Sequence, residues 1–247
     1  MSAAGTIGDD FATFDETRWF PYYLPHWSTR ELSRTRFDIG DGLRLRIDPD
    51  QNLWCEGLHE EPLRVSAIQS AAVPGQQPFR EGLEVHDDYP PFLGFTPVCG
   101  EVAVTMSGDV SPRSMFADWL SGVEETPEQS GEICIAEIFG ADVRRDGVEV
   151  GIGIKQRGDP ALRQDFLKVE LDLDVAEQHT YAACWTPEET VFLVDGRQVR
   201  HIAQAPKYPM QLMIGVFDFP AQADGDERLP AMRVTRVAGA ATKRQDQ

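Results

Sequence analysis

A chain of 247 residues with 41% hydrophobic content can bury a full core, and a single domain over residues 1–247, ordered from about 10 to 238, is expected. Its formal net charge of −18 lacks the basic footprint needed for nucleic acid or an anionic membrane surface, so neither is expected as a partner; a neutral polysaccharide or oligosaccharide is compatible with it. No apolar run approaches the roughly 18 residues of a membrane span, and the start MSAAGTIGDD has neither a basic n-region nor an apolar h-region, which leaves the compartment open. Taken in chain order, the first strong signal is Asp41-Gly42 before LRLRI, followed by Asp146-Gly147 before VEVGI and Asp195-Gly196 inside FLVDGRQVRHI. Asp-Gly suits the type I′ turn of a hairpin, whose two central positions need positive φ. Residues 71–97, with five prolines, are expected to form a long surface insertion containing one short strand around Leu83–Val85.

Helical periodicity is scarce; the one tempting segment, SMFADWLSG at 114–122, is short and closes on glycine. Period-two alternation recurs in KVELDL at 168–173 and MRVTRV at 232–237. Many short strands bounded by turn chemistry predict an all-β antiparallel sandwich or barrel. Both tails, to about Asp9 and from Ala238, are expected to fray. Cys55, Cys99, Cys134 and Cys184 show no paired spacing, so buried free thiols are expected rather than a zinc site. GIGIKQRG at 151–158 lacks the spacing of a nucleotide-binding loop and no helix follows it.

GEICIAEIFG, at 131–140, carries the chemistry. In a regular strand Glu137 shares a face with Ile133 and Ile135, which buries a carboxylate among isoleucines. One extra residue around Ile135–Ala136 puts Glu132, Cys134 and Glu137 on one face and Ile133, Ile135 and Ile138 on the other, so the pattern predicts a β-bulge. The glutamates then stand about four strand steps apart, roughly 13 Å between Cα atoms at ~3.3 Å per residue. Side chains leaning together bring the carboxyl groups to about 5 Å, the spacing of a retaining glycosidase.

GEICIAE resembles the E-x-D-x-x-E signature of glycoside hydrolase family 16. HTYAACWTPEETVFLVDG at 179–196, MFADWLSG, PMQLMIGVF and SAIQS resemble further segments of that family in order. The resemblance implies a concanavalin A-like jelly roll with a curved, cleft-bearing sheet, and a retaining endo-glycosidase acting on β-1,3 or mixed β-1,3/1,4-glucan. Residue by residue, it implies that Glu132 is the nucleophile and Glu137 the acid/base. The family's intervening aspartate is Cys134 here, and a thiol is a weak donor and poor acceptor. Without a polar mediator, mutual repulsion would raise one glutamate's pKa. The family's frequent histidine on the following strand is absent from VEVGIGIKQ, and the lead-in keeps Trp119 with Met115 and Phe116 before it. Calcium, bound by many members, finds no aspartate in MRVTRV, so no cofactor is expected.

Sugar sites combine aromatic faces with hydroxyl-binding polar groups. Trp119 is the first candidate platform, Trp27 and Trp54 are further cleft candidates, and Arg64 and Gln69 could reach hydroxyls; Trp185 is expected in the core. The alternative to catalysis is a glycan-binding homologue that keeps the cleft without turnover, and a third possibility is an interaction protein built on an inherited sandwich. A monomer is expected in each case.

Overall fold

A computed structural model describes residues 5–57, 61–73, 84–86, 89–222 and 228–242. Two antiparallel sheets pack face to face. The outer sheet runs, in spatial order, β15 (Arg197–Ile202), β14 (Thr190–Val194), β13 (His179–Trp185), β7 (Gly100–Asp109), β17 (Ala231–Ala241), β3 (Gly42–Arg46) and β2 (Phe37–Gly40), with β1 (Thr6–Asp9) also pairing β17. The cleft sheet runs β10 (Val143–Arg144), β11 (Gly147–Lys155), β9 (Glu132–Phe139), β8 (Ser114–Gly122), β16 (Met210–Asp218) and β4 (Arg64–Gln69), with β12 (Asp165–Leu171) pairing β11. A two-stranded ribbon, β5 (Ala71–Ala72) with β6 (Phe92–Leu93), completes the described strands.

The core lies between the sheets. Ile133, Ile152 and Ile214 of the cleft sheet meet Val104, Phe192 and Val234 of the outer one, all fully buried, and each such side chain contributes about 1.5–3 kcal/mol of burial. The segment 114–122 is a strand rather than the short helix its periodicity hints at. Eight of its nine residues are buried, because one face meets the core and the other the cleft, and that hides the alternation expected of a half-exposed strand.

All three Asp-Gly pairs lie between paired strands, but only at Asp195-Gly196 do both residues take positive φ, 50° and 75°, as a type I′ turn requires. The expected fraying is corrected for the described part of the tails, where Thr6–Asp9 pair with residues 237–240 of β17; residues 1–4 and 243–247 lie outside the described residues. An extra residue at Thr235 lets β17 leave β3 and continue along β1, which gives the N-terminal segment a hydrogen-bonded edge. Of the strand expected around Leu83–Val85, Leu83 lies outside the described residues, and Glu84 and Val85 are not in a strand.

Candidate active site

Strand β9 carries the expected irregularity on both of its ladders. Against β8, Asp118 faces Ala136 while the adjacent Trp119 faces Cys134; against β11, Gly151 faces Glu137 while Gly153 faces Cys134. On each side β9 therefore has one residue more than its partner, a bulge around Ile135–Ala136. Ile133, Ile135 and Ile138 consequently enter the core, at most 1% exposed, while Glu132, Glu137 and Phe139 line a cavity of about 620 Å³ on the concave face. Cys134, fully buried, sits between the glutamates: its Sγ is 3.9 Å from Glu132 Oε2 and 3.6 Å from Glu137 Oε1. Gly151 makes room beside them, since a Cβ there would stand 2.5 Å from the Phe166 ring and 3.3 Å from Glu137 Cβ.

Burial, reinforced by the charges of Glu137 and Glu132, holds the Cys134 pKa well above the ordinary thiol range. It therefore stays a neutral S–H, able to donate to one carboxylate at a time. Each glutamate also has a cation of its own, which the sequence did not reveal. Lys155 Nζ binds Glu137 Oε1 and lies 4.6 Å from the centre of the Phe166 ring; Arg157 NH2 stands 2.9 Å from Glu132 Oε2. Burial on its own would lower the Lys155 pKa, but Cys134, Glu137 and Glu132 reverse this and raise it. For Arg157, burial again opposes the charged form, and the charge and hydrogen bond of Glu132 outweigh it. Two carboxylates are thus set against two cations, where the sequence alone suggested unmediated repulsion.

Trp119, Trp27 and Trp54 all line the cavity, as the sequence suggested. Tyr23 joins them: its ring centroid lies 4.9 Å from that of Trp54 and 6.5 Å from that of Trp119. Trp185 is in the core, its Nε1 donating to Val98 O at 3.0 Å. The expectation for Arg64 and Gln69 is corrected, because neither is among the cavity-lining residues. Arg64 instead pairs with the buried Asp218, at 3.3 Å, together with Arg113 at 2.9 Å. Gln69 is 1% exposed and exchanges backbone hydrogen bonds with Phe20.

Further polar groups flank Glu132. Glu124, whose backbone holds a positive φ of 58°, lines the cavity, and burial and the charge of Glu132 push its pKa up to about 7. Gln211, in register with Ser121, is 2% exposed, and its Oε1 has no hydrogen-bond partner among the described residues. Tyr208 braces the start of β9, accepting from Gly131 N at 2.7 Å and donating to Asp159 Oδ2 at 2.9 Å. Only the loop position of Glu124, between two cleft strands, was a signal available in advance. Among the described residues no group of three or more His, Cys, Asp or Glu side chains could hold a metal ion.

The profile of Glycosyl hydrolases family 16 matches residues 97–229, which include the whole of β9. No curated protein matches the chain. Among solved structures, a GlcNAcα1-4Gal-releasing endo-β-galactosidase from Clostridium perfringens aligns with a TM-score of 0.83 at 24% identity over 96% of this chain; the chain spans 63% of that protein's length. A β-glucanase from Bacillus licheniformis aligns with a TM-score of 0.64 at 16% identity, covering 98% of this chain and all of the other. A β-1,3-1,4-glucanase from a mouse hindgut metagenome gives 0.64 at 17% identity, covering 97% and 100%. These alignments establish the jelly-roll sandwich as the shared fold.

Proposed function

The chain belongs to glycosyl hydrolases family 16, and on that premise we propose that it is a retaining endo-glycosidase that cleaves β-1,3 or mixed β-1,3/1,4-glucan by double displacement. The observation that carries this reading is the bulge of β9, which sets Glu132 and Glu137 on one wall of an aromatic cleft, both within 4 Å of the Cys134 sulfur. Two acids held this near a shared neighbour suit a pair in which one attacks and the other donates a proton.

In this reading Glu132 attacks the anomeric carbon while Glu137 gives its proton to the departing glycosidic oxygen. The bond to the leaving sugar breaks and an ester to Glu132 forms. Glu137, now a base, takes a proton from water, whose oxygen attacks the same carbon and frees Glu132 with net retention. Arg157 orients the nucleophile through its 2.9 Å contact with Glu132 Oε2. Lys155 orients the acid/base by binding Glu137 Oε1. Trp119, Trp27, Trp54 and Tyr23 offer faces for the apolar side of the sugar rings, and Gln211 Oε1 offers an acceptor to a sugar hydroxyl.

The test is a panel of laminarin, lichenan and β-galactans with product analysis by NMR. The galactans are included because the Clostridium perfringens protein releases GlcNAcα1-4Gal as an endo-β-galactosidase. Reducing ends released first as the β-anomer from a glucan, and lost in Glu132→Gln, support the proposal; cleavage of galactan alone reassigns the substrate, and inversion rejects the mechanism. A second reading, a glycan-binding protein without turnover, draws on Cys134 in place of the family's aspartate. It predicts oligosaccharide binding by calorimetry with no released reducing ends, and turnover gained in Cys134→Asp.

A further inference from the structure

Two rows of side chains cross the concave face on either side of the glutamate pair, and they differ in kind. In one, the register of the sheet sets Lys155 beside Glu132, Glu132 beside Ser121 and Ser121 beside Gln211, over strands β11, β9, β8 and β16. In the other, Phe139 lies beside Met115 and Met115 beside Phe217, over β9, β8 and β16. Residues paired across a ladder share a face, and all seven line the cavity. The cleft therefore has a polar wall at the Glu132 end of its strands and an apolar wall beyond Glu137. Gln211 closes the polar row. It stands two strand spacings from Glu132, roughly 10 Å between Cα atoms, a distance that a single sugar ring bridges when its anomeric carbon meets Glu132 and one of its hydroxyls meets the amide. The residue is 2% exposed, and its Oε1 has no hydrogen-bond partner among the described residues.

A glutamine enclosed on a cavity floor without a partner costs the fold the desolvation of its amide, although Met213, two positions on and also lining the cavity, shows that an apolar side chain suits the same face. A ligand that supplies the missing bond offsets that cost. A half-turn about the last side-chain torsion presents either the oxygen or the NH2 of the amide, which complements a hydroxyl, a group that both donates and accepts. We propose that Gln211 is a specificity-determining residue: it requires a free hydroxyl on the sugar whose anomeric carbon Glu132 attacks, and rejects units that lack this hydroxyl or carry a substituent on it. A deoxy unit leaves the amide unpaired, and the enclosure that hides the amide leaves no space for a branch. The inference rests on the glycosidase reading, with Glu132 as nucleophile, and adds which sugar units that site admits.

The test is a cycle between residue and substrate. Its probes are oligosaccharides from laminarin, lichenan and a β-galactan, whole and with single hydroxyls of the attacked unit replaced by hydrogen, and its variant is Gln211→Met, similar in length and without the amide. In wild type, loss of one particular hydroxyl lowers kcat/KM roughly 10- to 100-fold, as expected when a buried polar group is left unpaired. Gln211→Met lowers kcat/KM by a similar factor on the whole substrate and shows no further loss on that deoxy form. Its Tm stays at or above that of wild type, because a buried polar group has been removed. A merely structural glutamine would instead lower Tm and affect whole and deoxy substrates alike. Deoxy forms that lose as much in Gln211→Met as in wild type overturn the proposal and leave hydrolysis in place. Gln211→Leu supplies the same comparison if methionine does not fit. If wild type binds these glycans without cleaving them, the same cycle read as Kd by calorimetry decides the role of Gln211 while the hydrolase reading falls. Neither cleavage nor binding of any of the three overturns both.

Discussion

The cleft sheet carries acids on both of its faces, and it treats them differently. On the concave face Glu132 and Glu137 keep company with Arg157 and Lys155. On the core face, one strand away, Asp118 has no cation and no hydrogen-bond partner among the described residues. A desolvated carboxylate persists only where a partner compensates for lost water; where none is supplied the group takes up a proton instead. The concave face therefore sets its acids beside cations, while burial on the core face raises the pKa of Asp118 and favours its neutral form.

The largest effect that can break this contrast is chemical. On an aryl β-glycoside, whose leaving group needs no proton, Glu132→Gln is expected to lower the rate of glycosylation by roughly 10³-fold, whereas Glu137→Gln largely spares it. Burst kinetics with each variant read this, and equal losses would remove the distinction between nucleophile and acid. Next comes the less exposed of the two cations. Lys155→Met leaves Glu137 unpaired, with side-chain exposures of 17% and 13% in the native pair, and is expected to cost about 3 kcal/mol. Thermal denaturation should show a Tm lower by roughly 6–12 °C.

On the core face the expected effect appears as a slope. The folded pKa of Asp118 lies above its unfolded value, so between the two the folded chain binds more protons than the unfolded one. Stability then falls as pH rises above about 4, by at most about 1.4 kcal/mol per pH unit. Asp118→Asn lacks this slope, so the Tm of the variant minus that of wild type should widen as pH increases; a constant difference from pH 4 to 8 would contradict a neutral Asp118. The smallest change is expected at Arg157→Met. Its guanidinium is 52% exposed, so solvent screens the pair and the loss of stability should stay within about 1 kcal/mol by urea denaturation.

How much of this was legible depended on the range of the interaction. The spacing of Glu132 and Glu137 among isoleucines required a bulge, because an apolar face and a carboxylate cannot share a regular strand side. Trp119, Trp27 and Trp54 were legible as cleft candidates from residue type and segment. The cations were not: Lys155 and Arg157 lie in GIGIKQRG, a stretch whose only evident signal was a poor match to a nucleotide loop. They meet the glutamates because β11 pairs with β9, Lys155 opposite Glu132, and nothing in local spacing announces that register. Arg64 failed as a sugar ligand for the same reason, since its neighbour Asp218 is 154 positions away in the chain.

The amino-acid order by itself determined the sandwich class, the hairpin sites, the kink in β9 and the placing of Glu132 and Glu137 on one face, since each follows from alternation, turn chemistry or burial within a few adjacent residues. Only the packed structure decided which acids received cations, which tryptophans faced the cleft, and that Asp118 would lie unaccompanied beneath the bulge. Those outcomes depend on neighbours across strands and between sheets, and the free energy of a buried charge is set by what surrounds it rather than by what precedes it in the chain.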